Sequence, residues 1–236
     1  NLLLATGASP AMLHAPEEVA EFTAISAGLS INIGTISAHW ADAMLTATAT
    51  ADQHAIPWVL DPVAVGATRY RQTLCAKLLA AKPSVIRGNA SEILALNGLA
   101  SQGRGVDATA ATDQAVDAAI ALAQKHGCIV AMTGESDWVT DGTQHYRING
   151  GHPLMPRVTT LGCGLSALVA GFVAANRDAP LGATAAALAC FAVTGERAGS
   201  HANGPSSFQV ALLDALYQLT PDDLTTYAQL EAIHAA

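Results

Sequence analysis

Trp58-Val59-Leu60-Asp61-Pro62-Val63 and, further along, Ser84-Val85-Ile86-Arg87-Gly88-Asn89-Ala90-Ser91-Glu92 decide the fold of this chain. Each opens with an apolar run too short for a stable helix and rich in strand-forming residues, so each reads as a strand. Pro62, which lacks an N–H for a ladder, stops the first. The second ends in Arg87-Gly88-Asn89, and Asn89 followed three residues later by Glu92 is the signature of a capped helix start. Arg71–Ala81 between them reads as a helix. The unit is therefore strand Trp58–Leu60, helix, strand Ser84–Arg87 and a short helix Ala90–Leu96. Apolar strands joined by a helix belong to a parallel sheet covered on both faces.

The same rhythm extends in both directions. Upstream, Ala8–His14 reads as a strand, Pro16–Ala27 as a helix with proline in its first turn, Leu29–Ile33 as a strand and Ala38–Gln53 as a helix. Downstream, Thr112–Lys125 reads as a helix and Cys128–Thr133 as a strand. Trp138–Asp141 and His145–Ile148, joined through Asp141-Gly142, form an antiparallel hairpin. The remainder turns helical: Gly164–Ala175, Leu181–Ala198, Ser206–Leu219 and a last helix after Pro221. The expected fold class is α/β, three layers with a mostly parallel central sheet flanked by helices, in one domain over residues 1–236. The chain starts at Asn1-Leu2-Leu3-Leu4, as if within a helix, and residues upstream are expected to belong to the protein.

Composition sets limits on partners. Half of the 236 residues are hydrophobic and 13% are charged, the reverse of a disordered chain. A net charge of −8 without any Lys/Arg cluster excludes the basic stripe of a nucleic-acid binder. It leaves room for an enzyme whose few cations share one cleft. Cys75, Cys128, Cys163 and Cys190 form no CxxC pair, so neither a zinc knuckle nor a disulfide framework is indicated. Scattered free cysteines fit a reducing, cytoplasmic compartment. The longest apolar stretch, Leu165–Ala175, is interrupted by Ser166 and Gly171 and reads as a buried helix, so no membrane partner is expected.

Loops at the strand ends carry the chemistry: Asn32-Ile33-Gly34-Thr35, Asp61-Pro62-Val63, Arg87-Gly88-Asn89 and Thr133-Gly134-Glu135. Open parallel sheets bind ligands beyond the carboxyl ends of their strands, so these loops should face one crevice. The helix opening at Thr159-Thr160-Leu161-Gly162-Cys163-Gly164 offers free amides to an anion. A cysteine there should have its thiolate favoured. Each feature also has a plainer reading. The opening is equally a glycine-rich lead-in to a buried helix, Asn89 with Glu92 a simple capping box, Asp61 a turn former before proline, and Arg87 a surface ion-pair partner. Gly162–Ala167 and Gly103–Ala108 fit GxGxxA, but neither has the strand context of a dinucleotide fingerprint. His145 and His152 read as surface or hairpin residues. There is no Walker A, HExxH or GxSxG sequence.

Read in order, several stretches resemble the hydroxyethylthiazole kinase family: Gly7-Ala8-Ser9-Pro10-Ala11-Met12, Leu60–Ala67, Ile86–Ile93, Thr133-Gly134-Glu135, Gly151-His152-Pro153-Leu154-Met155, Gly204-Pro205 and Ser207-Phe208. The resemblance spans nearly the whole chain. It implies a ribokinase-like fold, a homotrimer with active sites between subunits, and ATP-dependent phosphorylation of 4-methyl-5-(2-hydroxyethyl)thiazole in thiamine salvage. It further implies that Met12, Thr160 and Gly162 lie at the thiazole alcohol and that Arg87 and Thr133 bind ATP. Asp61 and Glu92 match the family's Mg²⁺-associated acids, and Cys163 stands where sugar kinases of the wider superfamily carry a catalytic Asp. The chain departs from the pattern at two places. Thr160 replaces the first glycine of Thr-Gly-x-Gly-Cys, and a β-branched residue there is expected to alter the loop; Ser206 replaces the glycine of Gly-Pro-Gly-Ser-Phe. On these expectations Cys163 accepts the alcohol proton while the Gly162–Gly164 amides receive the phosphoryl group. The rival readings are a ribokinase-like kinase for a pyrimidine or pyridoxal-type alcohol, and a binding homologue with impaired catalysis.

Overall fold

The computed structural model describes residues 1–98 and 108–233. Among the described residues seven strands form one sheet in sequence order: β1 (Leu29–Asn32), β2 (Trp58–Asp61), β3 (Val85–Asn89), β4 (Ile129–Thr133), β5 (Asp137–Thr140), β6 (His145–Asn149) and β7 (Gln229–Ile233). Strands β1 to β4 pair in parallel. The last three join antiparallel. The sheet is therefore parallel where it carries the site and a meander beyond it.

Register separates the two faces. Val59 pairs with Val85 and Val85 with Ile129, while the next row is Leu60, Ile86 and Val130. Because side chains alternate along a strand, the two rows face opposite layers. The Leu60 row packs with α3 (Ala38–Gln53), α4 (Arg69–Ala80), α5 (Ala90–Leu96) and α6 (Ala108–His126). The Val59 row packs with α7 (Leu161–Ala175), α8 (Pro180–His201) and α9 (Pro205–Gln218). Short α1 (Leu2–Ala5) lies against α7 and α9, α2 (Pro16–Ala24) against α3, and α10 (Pro221–Tyr227) against α8. Alanine-rich α3, α6 and α8 let these layers approach closely, with Ala47, Ala51, Ala119 and Ala187 at most 2% exposed.

Two expectations fail. Ala8–His14 is not a strand: Pro10 interrupts it, and Met12, 98% exposed, has no strand to lie against among the described residues. Strand β7 was not foreseen. Gln229-Leu230-Glu231-Ala232-Ile233 does alternate at its start, but it is short, mostly exposed and at the sheet edge, and it follows a helical segment closely enough to read as that helix's end. The Gly103–Asp107 part of the second GxGxxA match lies outside the described residues.

Candidate active site

Parity along the strands builds the site. Asp61 lies two residues beyond Val59, Arg87 two beyond Val85 and Thr133 four beyond Ile129. All three side chains therefore leave the sheet on the α7 face, at the carboxyl ends of β2, β3 and β4. Asn32 joins them as the register partner of Asp61. Opposite stands the first turn of α7. One edge of the sheet and one helix start thus share a cleft.

Asp61 is 1% exposed and its Oδ2 accepts from Asn32 Nδ2 at 2.6 Å and Ser166 Oγ at 2.9 Å. Burial raises its affinity for a proton, opposed by Arg87 and these two donors and reinforced by Glu92. Cys163 is half-buried. Desolvation and the Asp61 carboxylate push its thiol up, and a hydrogen bond from Asn32 and the charge of Arg87 only partly offset them. The expectation of a favoured thiolate is corrected on this ground: burial first, and the Asp61 carboxylate second, outweigh the helix start.

Arg87 Nη2 donates to Thr133 Oγ1 at 2.7 Å. Its Nε is buried without a partner, so Arg87 is no surface ion-pair residue. The glycines around Cys163 serve two neighbours. A Cβ on Gly162 would lie 2.7 Å from Arg87 Nη1, and one on Gly164 would overlap Leu2 of α1. Gly162 thus lets the guanidinium sit on the helix start. Thr160 adopts the left-handed region, φ 63° and ψ 2°, so the turn keeps a glycine-like conformation despite the β-branched side chain. That strain costs roughly 1–2 kcal/mol.

Glu92 closes the expected capping box and also reaches across to the β2 loop. Its Oε2 accepts from Asn89 N–H and its Oε1 from Ala64 N–H, both at 2.9 Å. Ala64 is itself left-handed, φ 53°. Among the described residues no group of three or more His, Cys, Asp or Glu is gathered as for a tightly ligated metal. A water-rich Mg²⁺ uses only one or two carboxylates, and the mutual repulsion of Asp61 and Glu92 is what a cation would relieve. The acids fit such an ion. Met12 is an exposed loop residue.

Further residues belong here. Asn32 touches Asp61 and Cys163, and its Oδ1 accepts from Gly34 N–H at 2.8 Å. Ser166, three residues after Cys163 in an apolar helix, could have been found as its lone buried polar position. Arg71 donates to Ile33 O, Gly34 O and Val63 O at 2.5–2.8 Å, tying the β1 and β2 loops together. Asp137, with the α7-face parity of Val139, accepts from Gly134 N–H at 3.0 Å. Burial raises it to about 6 against the pull of Gly134 and Arg87. Nothing in the local sequence marks Arg71, because most of its partners are distant backbone carbonyls; Asp137 bonds locally to Gly134, but its burial comes from packing that the local sequence does not show.

An arginine and acids at parallel strand ends, facing the amides of a helix start, define a small-molecule kinase of the three-layer α/β kind. The family model described as the hydroxyethylthiazole kinase family matches residues 1–222, and the chain belongs to that family. A hydroxyethylthiazole kinase of Rhizobium rhizogenes is 54% identical over 230 residues, covering 98% of this chain and 86% of its own length. One from Cereibacter sphaeroides is 54% identical over 232 residues, covering 98% and 88%. The solved hydroxyethylthiazole kinase of Pyrococcus horikoshii superposes with a TM-score of 0.90 at 37% identity, over 99% of this chain and 87% of that one. A Staphylococcus aureus pyridoxal kinase shares the fold, with a TM-score of 0.56 at 20% identity over 76% and 65% of the two chains. The fold is ribokinase-like. Among the described residues no helix is long and apolar enough to cross a membrane.

Proposed function

We propose that this chain phosphorylates the hydroxyl of 4-methyl-5-(2-hydroxyethyl)thiazole with ATP, as a homotrimer of the cytoplasm. The observation that carries the reading is the convergence of Asp61, Arg87 and Thr133 on the start of α7. Phosphoryl transfer asks a protein for positioning and charge stabilisation more than covalent chemistry. Arg87, steadied by Thr133, holds the nucleotide phosphates, and its unpartnered Nε supports that role. The Gly162 and Cys163 amides receive the transferring group at the positive end of α7; the expected third amide, Gly164 N–H, is already bonded to Thr160 O at 2.8 Å. Asp61 and Glu92 would hold Mg²⁺ largely through water, and the ion supplies neutralising charge to ATP. Asn32 and Ser166 fix the Asp61 carboxylate.

Cys163, held as a thiol, orients the alcohol. As the alcohol O–P bond forms and the bond from the γ-phosphorus to the ADP oxygen breaks, the hydroxyl proton leaves late, when bonding to phosphorus has made it acidic, and passes to an oxygen of the transferred phosphoryl group, so no strong early base is required. Met12 meets the thiazole from a neighbouring subunit, a role its 98% exposure supports. Four free cysteines suit the cytoplasm. ADP release with the thiazole alcohol, pyridoxal or a hydroxymethylpyrimidine as acceptor tests the reading. ADP should form fastest with the thiazole. A preference for another alcohol, or ATP binding without turnover, would replace it by one of the rival readings.

A further inference from the structure

Two motifs that carried the family resemblance, Gly151–Met155 and Gly204–Phe208, touch neither nucleotide nor acceptor in the mechanism above, yet they meet each other. The loop joining β6 to α7 begins with Gly150 and Gly151 in the left-handed region, φ 119° and 89°, and ends at strained Thr160. It lies along α8. A Cβ on Gly195 would be 2.7 Å from Met155 Sδ, and one on Gly199 would overlap the His152 imidazole. Residues four apart share a helix face, so the two glycines form a notch that takes both side chains.

The His152 ring is also stacked on Phe208, with centroids 5.6 Å apart and planes at 21°; Phe208 is fully buried. His152 Nδ1 accepts from Leu154 N–H at 3.3 Å, and His152 N–H donates to Met155 Sδ at 3.4 Å. Ser207 Oγ accepts from Asn203 and Gly204 N–H, fixing the start of α9 beneath the ring. The loop is thereby closed on itself and seated on α8 and α9. From this anchor the chain runs through buried Val158 to the left-handed turn at Thr160. His152 is not the surface residue its sequence context suggested.

We propose that His152 is a positioning residue for phosphoryl transfer: lodged between Gly199 and Phe208, it fixes the 150–160 loop and hence the free Gly162 and Cys163 amides. The inference rests on the kinase reading above. Displacements of about 1 Å at a reacting centre cost up to ~100-fold in rate, so the loss should fall on kcat. His152→Ala, Gly199→Ala and their double variant are compared in kcat, KM for ATP and hydrogen exchange of the residue 161–164 amides. His152→Phe keeps the stacking and serves as the conservative variant.

Both single variants should lose about tenfold or more in kcat, with ATP KM changed less than about threefold and faster exchange at the α7 start. The double variant should be no slower than His152→Ala, because the Gly199 methyl then meets no ring. His152→Phe should recover most of the rate. A His152→Ala enzyme with wild-type kcat, or single losses that simply multiply, would overturn the proposal. If the wild-type protein transfers no phosphoryl group, the kinase reading fails instead, and amide exchange alone decides whether the anchor exists; unchanged exchange would refute it.

Discussion

Thr160 departs from ordinary behaviour in its backbone, and Cys163 and Asp137 in their hold on a proton, all beside the same cleft. Thr160 occupies a left-handed turn, so Thr160→Gly should raise stability by about 1 kcal/mol and the melting temperature by about 2–4 °C. An unchanged melting point would mean the threonine hydroxyl compensates for the strain. Cys163 is kept protonated by burial and Asp61, and it is read as an orienting group. Cys163→Ala should therefore lower kcat by less than the ~100-fold minimum typical of general bases, with ATP KM unchanged; a larger loss would restore it as the base. Asp137 is raised to about 6 by burial. A carboxyl whose folded value exceeds its unfolded one contributes stability below about pH 4 that is lost as pH rises through 6. Asp137→Asn keeps an acceptor for Gly134 N–H and removes the charge. It should exceed wild type in stability by about 1–3 kcal/mol at pH 7, the gap closing below pH 4. A pH-independent gap in denaturant melts would exclude burial of the charge as the cause.

Helix α7 shows how one element serves packing and chemistry together. Gly162 costs helix stability by about 1 kcal/mol relative to alanine, yet an added methyl would press on Arg87. Gly162→Ala should consequently melt no lower than wild type while losing about tenfold in kcat/KM for ATP. Loss of stability together with activity would point to a packing defect alone. The order of strands and helices around this element was legible because Trp58–Leu60 and Ser84–Arg87 are short apolar runs between helical segments. The capping box at Asn89 was legible for the same local reason, and its Glu92 also bonds Ala64, which no local pattern encodes. The Asn32 loop was legible as one of the strand ends facing the crevice, whereas Ser166 and Arg71 carry no local signal because each acts through partners far along the chain. The false strand at Ala8–His14 and the missed β7 share one cause: isolated apolar content does not show whether a neighbouring strand exists.

Across the whole molecule, two apolar layers on opposite faces of the sheet hold the strand ends of β1 to β4 against α7. If Met12 acts in a neighbouring copy's site, light scattering should give three times the 24.0 kDa chain mass, and a monomer active at full rate would sink that assignment. The claim on which the account turns is that Asp61, Arg87 and the α7 amides form one phosphoryl-transfer centre. Following the label from γ-³²P ATP tests it most directly, with 4-methyl-5-(2-hydroxyethyl)thiazole as acceptor and wild-type and Gly162→Ala proteins compared. Label should pass to the thiazole alcohol, about tenfold more slowly in the variant. Label found only in inorganic phosphate, or equal transfer by both proteins, would contradict it.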